Sequence, residues 1–125
     1  MSQPAAVRQL IVKCTAGAEQ AERCSQAFTV AATALAAGAA VSLWLTGEAT
    51  WLAVPGRAEA FELPHSAPLA DLRDAVLAGG TLTVCTQCAA RRGLGEADLL
   101  PGARIAGAAS FVAEALAPDA QALVY

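Results

Sequence analysis

Charge, aromatic rings and histidine are all scarce in this sequence. Of its 125 residues, 15% are charged and 5% aromatic, with one histidine and a net charge of −3. Such a balance leaves no basic face to track a phosphate backbone, so direct nucleic-acid binding is excluded. Neither GxGxxG nor GxxxxGK occurs, and no nucleotide cofactor is expected. No secretory leader is expected, because Arg8 and Lys13 bracket only a short apolar stretch. A cytoplasmic chain is therefore expected. Only one uncharged run, residues 27–47, is long enough to cross a bilayer. Alanine and threonine are weak membrane formers, and Gly38 interrupts the run where its period changes from helical to strand-like. A helix feeding a buried strand explains the run, and no membrane partner is expected.

What the chain has instead is alanine. It supplies 33 of the residues, so the 56% apolar content overstates the bulk available to a core. The length suits one domain spanning residues 1–125. A core built from such small side chains is close-packed but thin, and association into a homo-oligomer would compensate for it.

The periodicities alternate between strand and helix. Residues 8–14 (RQLIVKC) form a first strand. A helix follows from near Glu19 to about Ala37, with Gly38 beyond its end. Residues 40–46 make a second strand, and Glu48–Val54 a short helix. Pro55-Gly56 and Pro64-His65-Ser66 are turns, and Pro68 opens a helix carrying Leu69, Leu72, Val76 and Leu77 on one face. TLTVC (81–85) is a third strand, with a short helix expected across Ala89–Leu94. Residues 103–106 suggest a short strand. Ala108, Phe111, Val112, Ala115 and Leu116 then recur at helical spacing up to Pro118, and QALVY closes as a strand. Successive βα units imply a three-layer α/β/α sandwich with a mostly parallel sheet of about five strands. Sites in such sheets lie beyond the carboxyl ends of the strands.

Four cysteines in a chain without a leader point to thiol chemistry or a metal rather than to a disulfide scaffold. Cys85 ends the third strand where a helix begins, so its sulfur would face free N–H groups and a positive dipole end. That setting favours the thiolate, the form that attacks sulfur electrophiles. Cys88 falls in the first helical turn, close enough to exchange with Cys85. Arg91 or Arg92 would add positive charge by folding back. Cys14 ends the first strand, and the edge rule places it near Cys85 as an auxiliary thiol. Cys24 lies ten residues beyond Cys14, a spacing that does not complete a zinc site with the CxxC, so no metal is expected and Cys24 is assigned to packing. Both cysteines of the CxxC could instead be small buried hydrophobes.

The stretch Val84-Cys85-Thr86-Gln87-Cys88-Ala89-Ala90-Arg91-Arg92-Gly93 resembles the DsrE/DsrF/TusD family of sulfur carriers. That family also has a strand ending in cysteine, small residues and then Arg-Arg-Gly. The tail IAGAASFVAEALAPDAQALVY is similar to the family's closing pattern. The resemblance implies a small cytoplasmic α/β protein that accepts a sulfane sulfur as a persulfide on Cys85 and passes it to a partner. It also implies donor and acceptor proteins as partners, and a trimer or hexamer. Cys88 departs from the tRNA-thiolation branch of the family, which has a small residue there, and so raises a redox role.

Other readings stay open. The CxxC would serve a thiol–disulfide oxidoreductase, although the Trp-Cys-Gly-Pro-Cys surroundings of thioredoxins are missing. A non-catalytic oligomeric binding module needs no reactive cysteine. His65 reads as a solvated turn residue, Trp44 as core, and Trp51 as a cap on the site or an interface residue. Glu19, Glu22 and Arg23 read as a solvated face.

Overall fold

The computed structural model describes residues 8–125; the reading of residues 1–7 as carrying no leader lies outside them. Five strands form one sheet: β1 (Gln9–Cys14), β2 (Ala40–Leu45), β3 (Thr81–Cys85), β4 (Arg104–Ala106) and β5 (Ala120–Val124). Their order is β4-β3-β2-β1-β5 and every pairing is parallel. Four helices accompany them: α1 (Ala21–Ala36), α2 (Leu69–Gly79), α3 (Thr86–Arg91) and α4 (Ala108–Ala115). The expected α/β class with helices on both sides is what the chain adopts.

Side chains alternate across a strand, and the register converts that alternation into two faces. Cys14 aligns with Leu45, and Leu45 with Val84. These three, with Val12, Leu43 and Leu82 two positions earlier, are wholly buried beneath α1 and α2. In α1, Cys24, Ala27, Phe28 and Ala31 recur at i, i+3, i+4 and i+7 and bury the facing stripe. The alanines let the helix sit close to the sheet, and Phe28 is the largest side chain in the buried stripe. At its end the Gly38 N–H reaches Leu35 O and the Ala39 N–H reaches Ala34 O. Gly38 has φ +93°, the left-handed geometry expected of the residue beyond a helix end.

The opposite face carries Lys13, Trp44, Thr83 and Arg104 in one register row, with Cys85 beyond Thr83. Helix α4 lies over it. Phe111 meets Trp44 edge to face at 5.5 Å, and Lys13 Nζ sits 4.5 Å above the Phe111 ring. Glu114 Oε2 accepts from Trp44 Nε1 at 3.2 Å and from Arg104 Nη2 at 2.8 Å. Arg104 Nε also donates to the buried Thr83 hydroxyl at 2.6 Å. This layer is polar, and α4 contributes no buried residue to it. The stripe on α4 is wider than the sheet beneath: Phe111 and Ala115 turn inward, while Val112 and Leu116 stay exposed.

Several boundaries differ from expectation. The segment around Glu19 is a 3₁₀ turn before α1 starts at Ala21, and Gly47–Ala53 is a 3₁₀ helix. Pro68 caps α2 from outside instead of occupying its first turn; its carbonyl accepts from Asp71 and Leu72. The helix expected over Ala89–Leu94 begins earlier, at Thr86, because β3 passes into it with no intervening loop. That direct junction positions the site.

Candidate functional site

Cys85 is at once the last residue of β3 and the cap residue of α3, with φ −64° and ψ 132°. An extended residue followed at once by helix turns its side chain toward the first free N–H groups of the turn. The sulfur makes no cap hydrogen bond but lies near enough to the backbone N–H groups of Cys88 and Gln87 to feel them, and the thiol donates to Gln87 Oε1 at 3.4 Å. Half-burial pushes its pKa up, but these donors, the Cys88 thiol and the Lys13 charge together outweigh burial and hold it below the ordinary thiol value. An accessible sulfur with stabilised negative charge is a nucleophile toward sulfane sulfur and disulfides.

Cys88 sits three positions on, the spacing at which cap and third-residue side chains meet across a helix start. It is buried, and its thiol is among the groups that hold the Cys85 thiol below its ordinary value. A second donor comes from outside the motif: the Gly47 N–H points at Cys88 Sγ at 3.3 Å. Gly47 holds φ +54° directly after Thr46, and a Cβ there would lie 2.7 Å from Thr15 O. Glycine is therefore needed where the β2 loop passes over the cysteine.

The remaining expected site residues separate. Cys14 shares the carboxyl edge with Cys85, but its side chain points to the other sheet face. There it pairs with Cys24 and donates to Ala16 O at 3.1 Å. The hydrogen bond to Cys14, with burial adding to it, pushes the Cys24 thiol up. Both are free, fully buried thiols, so the four cysteines form two pairs instead of one cluster. Among the described residues no three metal-ligating side chains converge. Arg92 does not reach back to Cys85: its Nη1 donates to Cys88 O at 3.1 Å and its Nε lies 3.7 Å from Glu48. Arg91 is exposed in the last turn of α3, where a cation suits the helix dipole.

The cation whose charge lowers the Cys85 thiol is Lys13, the smallest of the influences on it, which sequence reasoning passed over. A lone lysine within the apolar run LIVKC, one residue before the strand ends, was the available signal. Gly47 left less trace, since its part in the site depends on two loops meeting. His65 is an exposed turn residue with φ +58°, beside a shallow groove of ≈ 520 Å³ on the outer side of α1. Trp44 is core, as expected. Trp51 is half-buried under the Arg57 guanidinium, 4.5 Å from its ring centre, in a hollow of ≈ 310 Å³ shared with Glu19 and Glu48. Glu22 and Arg23 are exposed, and Glu19 accepts the Gly17 N–H at 2.9 Å.

A family model, the DsrE/DsrF-like family, matches residues 9–121. The fold is similar to the crystal structure of the ychN protein from E. coli, with a TM-score of 0.78 and 14% identity. That match covers 94% of this chain and 99% of that one. It is also similar to MTH1491, a protein of unknown function from Methanobacterium thermoautotrophicum, at TM-score 0.71 and 8% identity with the same coverage. At those identities the two structures establish the fold alone. No curated protein matches the chain.

Proposed function

The chain belongs to the DsrE/DsrF-like family, and from that premise we propose that it is a sulfur carrier. Cys85 accepts a sulfane sulfur as a persulfide and hands it to a partner protein. The observation that carries the reading is the half-exposed Cys85 sulfur at a strand–helix junction, donating to Gln87 Oε1, with Cys88 in the first turn beyond it. Its thiolate attacks the sulfane sulfur of a donor, the donor's remaining sulfur leaves with the bond's electron pair, and a Cys85 persulfide remains. The nearby N–H groups of Cys88 and Gln87 stabilise charge on sulfur before the attack and again when the persulfide is passed on. No cofactor and no metal takes part in either step.

The carrier acts as one α/β domain in the cytoplasm and assembles as a homo-oligomer, a trimer or hexamer by the family resemblance. Among the described residues no helix is long and apolar enough to cross a membrane. Support for self-association comes from the face formed by α4 and β5. Leu116 is 79% exposed and Val124 63%, beside the exposed Val112. These are the bulky side chains the alanine-rich core does not absorb.

Mass spectrometry tests the reading directly. Intact Cys88→Ser protein, exposed briefly to inorganic polysulfide, should gain about 32 Da, one sulfur atom. The same gain in a Cys85→Ser/Cys88→Ser protein, or no gain in either, refutes the assignment.

A further inference from the structure

We propose that Cys88 resolves the Cys85 persulfide, releasing hydrosulfide and leaving a Cys85–Cys88 disulfide. The step rests on the carrier reading and adds to it a route by which an undelivered sulfur leaves the protein.

The two cysteines occupy unequal places. Cys85 is half-exposed and can meet a donor, whereas Cys88 is 8% exposed and can meet little besides Cys85. As the cap residue and the third residue of α3 they stand at the spacing at which side chains meet across a helix start. In a persulfide the Cys85 Sγ becomes the inner sulfur, fixed to the residue beside which Cys88 stands in the first turn of α3. Attack there displaces the terminal sulfur, whereas attack on the terminal sulfur would move the persulfide onto a buried residue that an acceptor does not reach. The Gly47 N–H fixes the Cys88 sulfur from the side away from the helix and donates to charge that builds on it.

The chemistry balances without an outside oxidant. The Cys88 thiolate forms a bond to Cys85 Sγ, the bond from Cys85 Sγ to the terminal sulfur breaks, and that sulfur leaves with the electron pair as HS⁻. The Cys88 sulfur is oxidised to the disulfide level, the terminal sulfur is reduced to sulfide, and Cys85 Sγ exchanges one S–S bond for another. Return to the starting state needs a dithiol reductant, which opens the disulfide by exchange. The buried Cys14 and Cys24 lie on the other sheet face and have no part in it.

The experiment follows one turnover. Wild-type and Cys88→Ser proteins are loaded with inorganic polysulfide, freed of excess and followed by intact mass while released sulfide is trapped with monobromobimane. Wild type should lose the added sulfur, settle about 2 Da below its reduced mass and yield about one sulfide per chain. Cys88→Ser should hold the added sulfur and release none. Dithiothreitol should return wild type to its reduced mass. Peptide mapping of wild type should place the new disulfide between Cys85 and Cys88, a readout that does not depend on how the variant folds. A wild type that keeps the added sulfur as long as Cys88→Ser, or a disulfide mapped elsewhere, overturns the resolving step alone. A Cys88→Ser protein that never gains sulfur overturns the carrier reading and this step with it.

Discussion

Replacing Gly47 by alanine tests whether the loop over Cys88 is as tightly built as its geometry implies. Two separate effects act at this position. Placing a side chain at φ +54° costs about 1–2 kcal/mol. The new Cβ also meets Thr15 O at 2.7 Å, and this oxygen belongs to backbone that cannot rotate away. Forcing an atom into such a gap adds about 1–3 kcal/mol. Gly38 provides the control, since it has φ +93° and a methyl group there would meet nothing within 4 Å, so Gly38→Ala bears the backbone cost only. The two variants should therefore differ by about 1–3 kcal/mol, within the roughly 5–15 kcal/mol that holds a domain folded. At about 4 °C per kcal/mol for a chain of this size, Gly47→Ala should melt about 4–12 °C below Gly38→Ala. Circular-dichroism melts of both variants at pH 7 give the comparison. Native alkylation of Cys88 by N-ethylmaleimide should rise in Gly47→Ala alone, because the loop that covers it has moved. Melting points within about 2 °C of each other, roughly 0.5 kcal/mol, would refute the clash.

The other predictions concern charge, core and assembly. Arg73 is buried and grips Glu59 through two bonds of 2.8 and 2.9 Å, which lowers the Glu59 carboxyl to about 2 from 4.5. A depressed carboxyl stabilises the fold fully above its unfolded pKa and loses that effect as pH falls toward 2. Melts across pH 2–6 should accordingly show Glu59→Gln less stable than wild type at the upper end, with the two curves meeting at the acid end. In a Cys88→Ser background, the pH midpoint for Cys85 alkylation should lie below the ordinary 9.0 and move up in Lys13→Met; an unmoved midpoint would remove Lys13 from the site. Phe28→Ala should cost about 3–5 kcal/mol in a denaturant titration, since alanine neighbours cannot close the space. Leu116→Asp with Val124→Asp should lower the mass measured by light scattering, and an unchanged mass would place any self-association elsewhere.

The fold was readable because alternation and helical period coincide with the elements: TLTVC is β3 residue for residue, and Gly38 ends α1 as its position requires. Helix α3 was placed too late because its polar first turn, Thr86-Gln87-Cys88, carries no apolar period. It is held by the strand before it and the β2 loop above. The placing of Cys85 and Cys88 at one strand–helix junction was legible in their spacing. Cys14 was placed at the correct edge but credited with the wrong neighbour, since the edge rule locates a strand end without saying which face its last side chain takes. One residue of parity separates Cys14, in register with Val84, from Cys85. Lys13 gains its place by the same parity, on the face that Cys14 leaves.

The sheet order has a consequence for how the chain acquires its shape. From β1 the chain adds β2, β3 and β4 outward in sequence, and α4 then carries it back across the sheet to pair β5 with β1. The closing contact, from the Thr15 hydroxyl to Tyr125 O at 2.6 Å, joins residues 110 positions apart. At about 5–20 residues per second of synthesis, β1 emerges several seconds before its outer partner exists. Throughout that interval its hydrogen-bonding edge is an open template, and loop-closure entropy makes the last pairing the slow one. Lys13 is the one charged side chain in that strand, so the residue that tunes the finished thiol also places a charge on an edge that must stay single until β5 arrives.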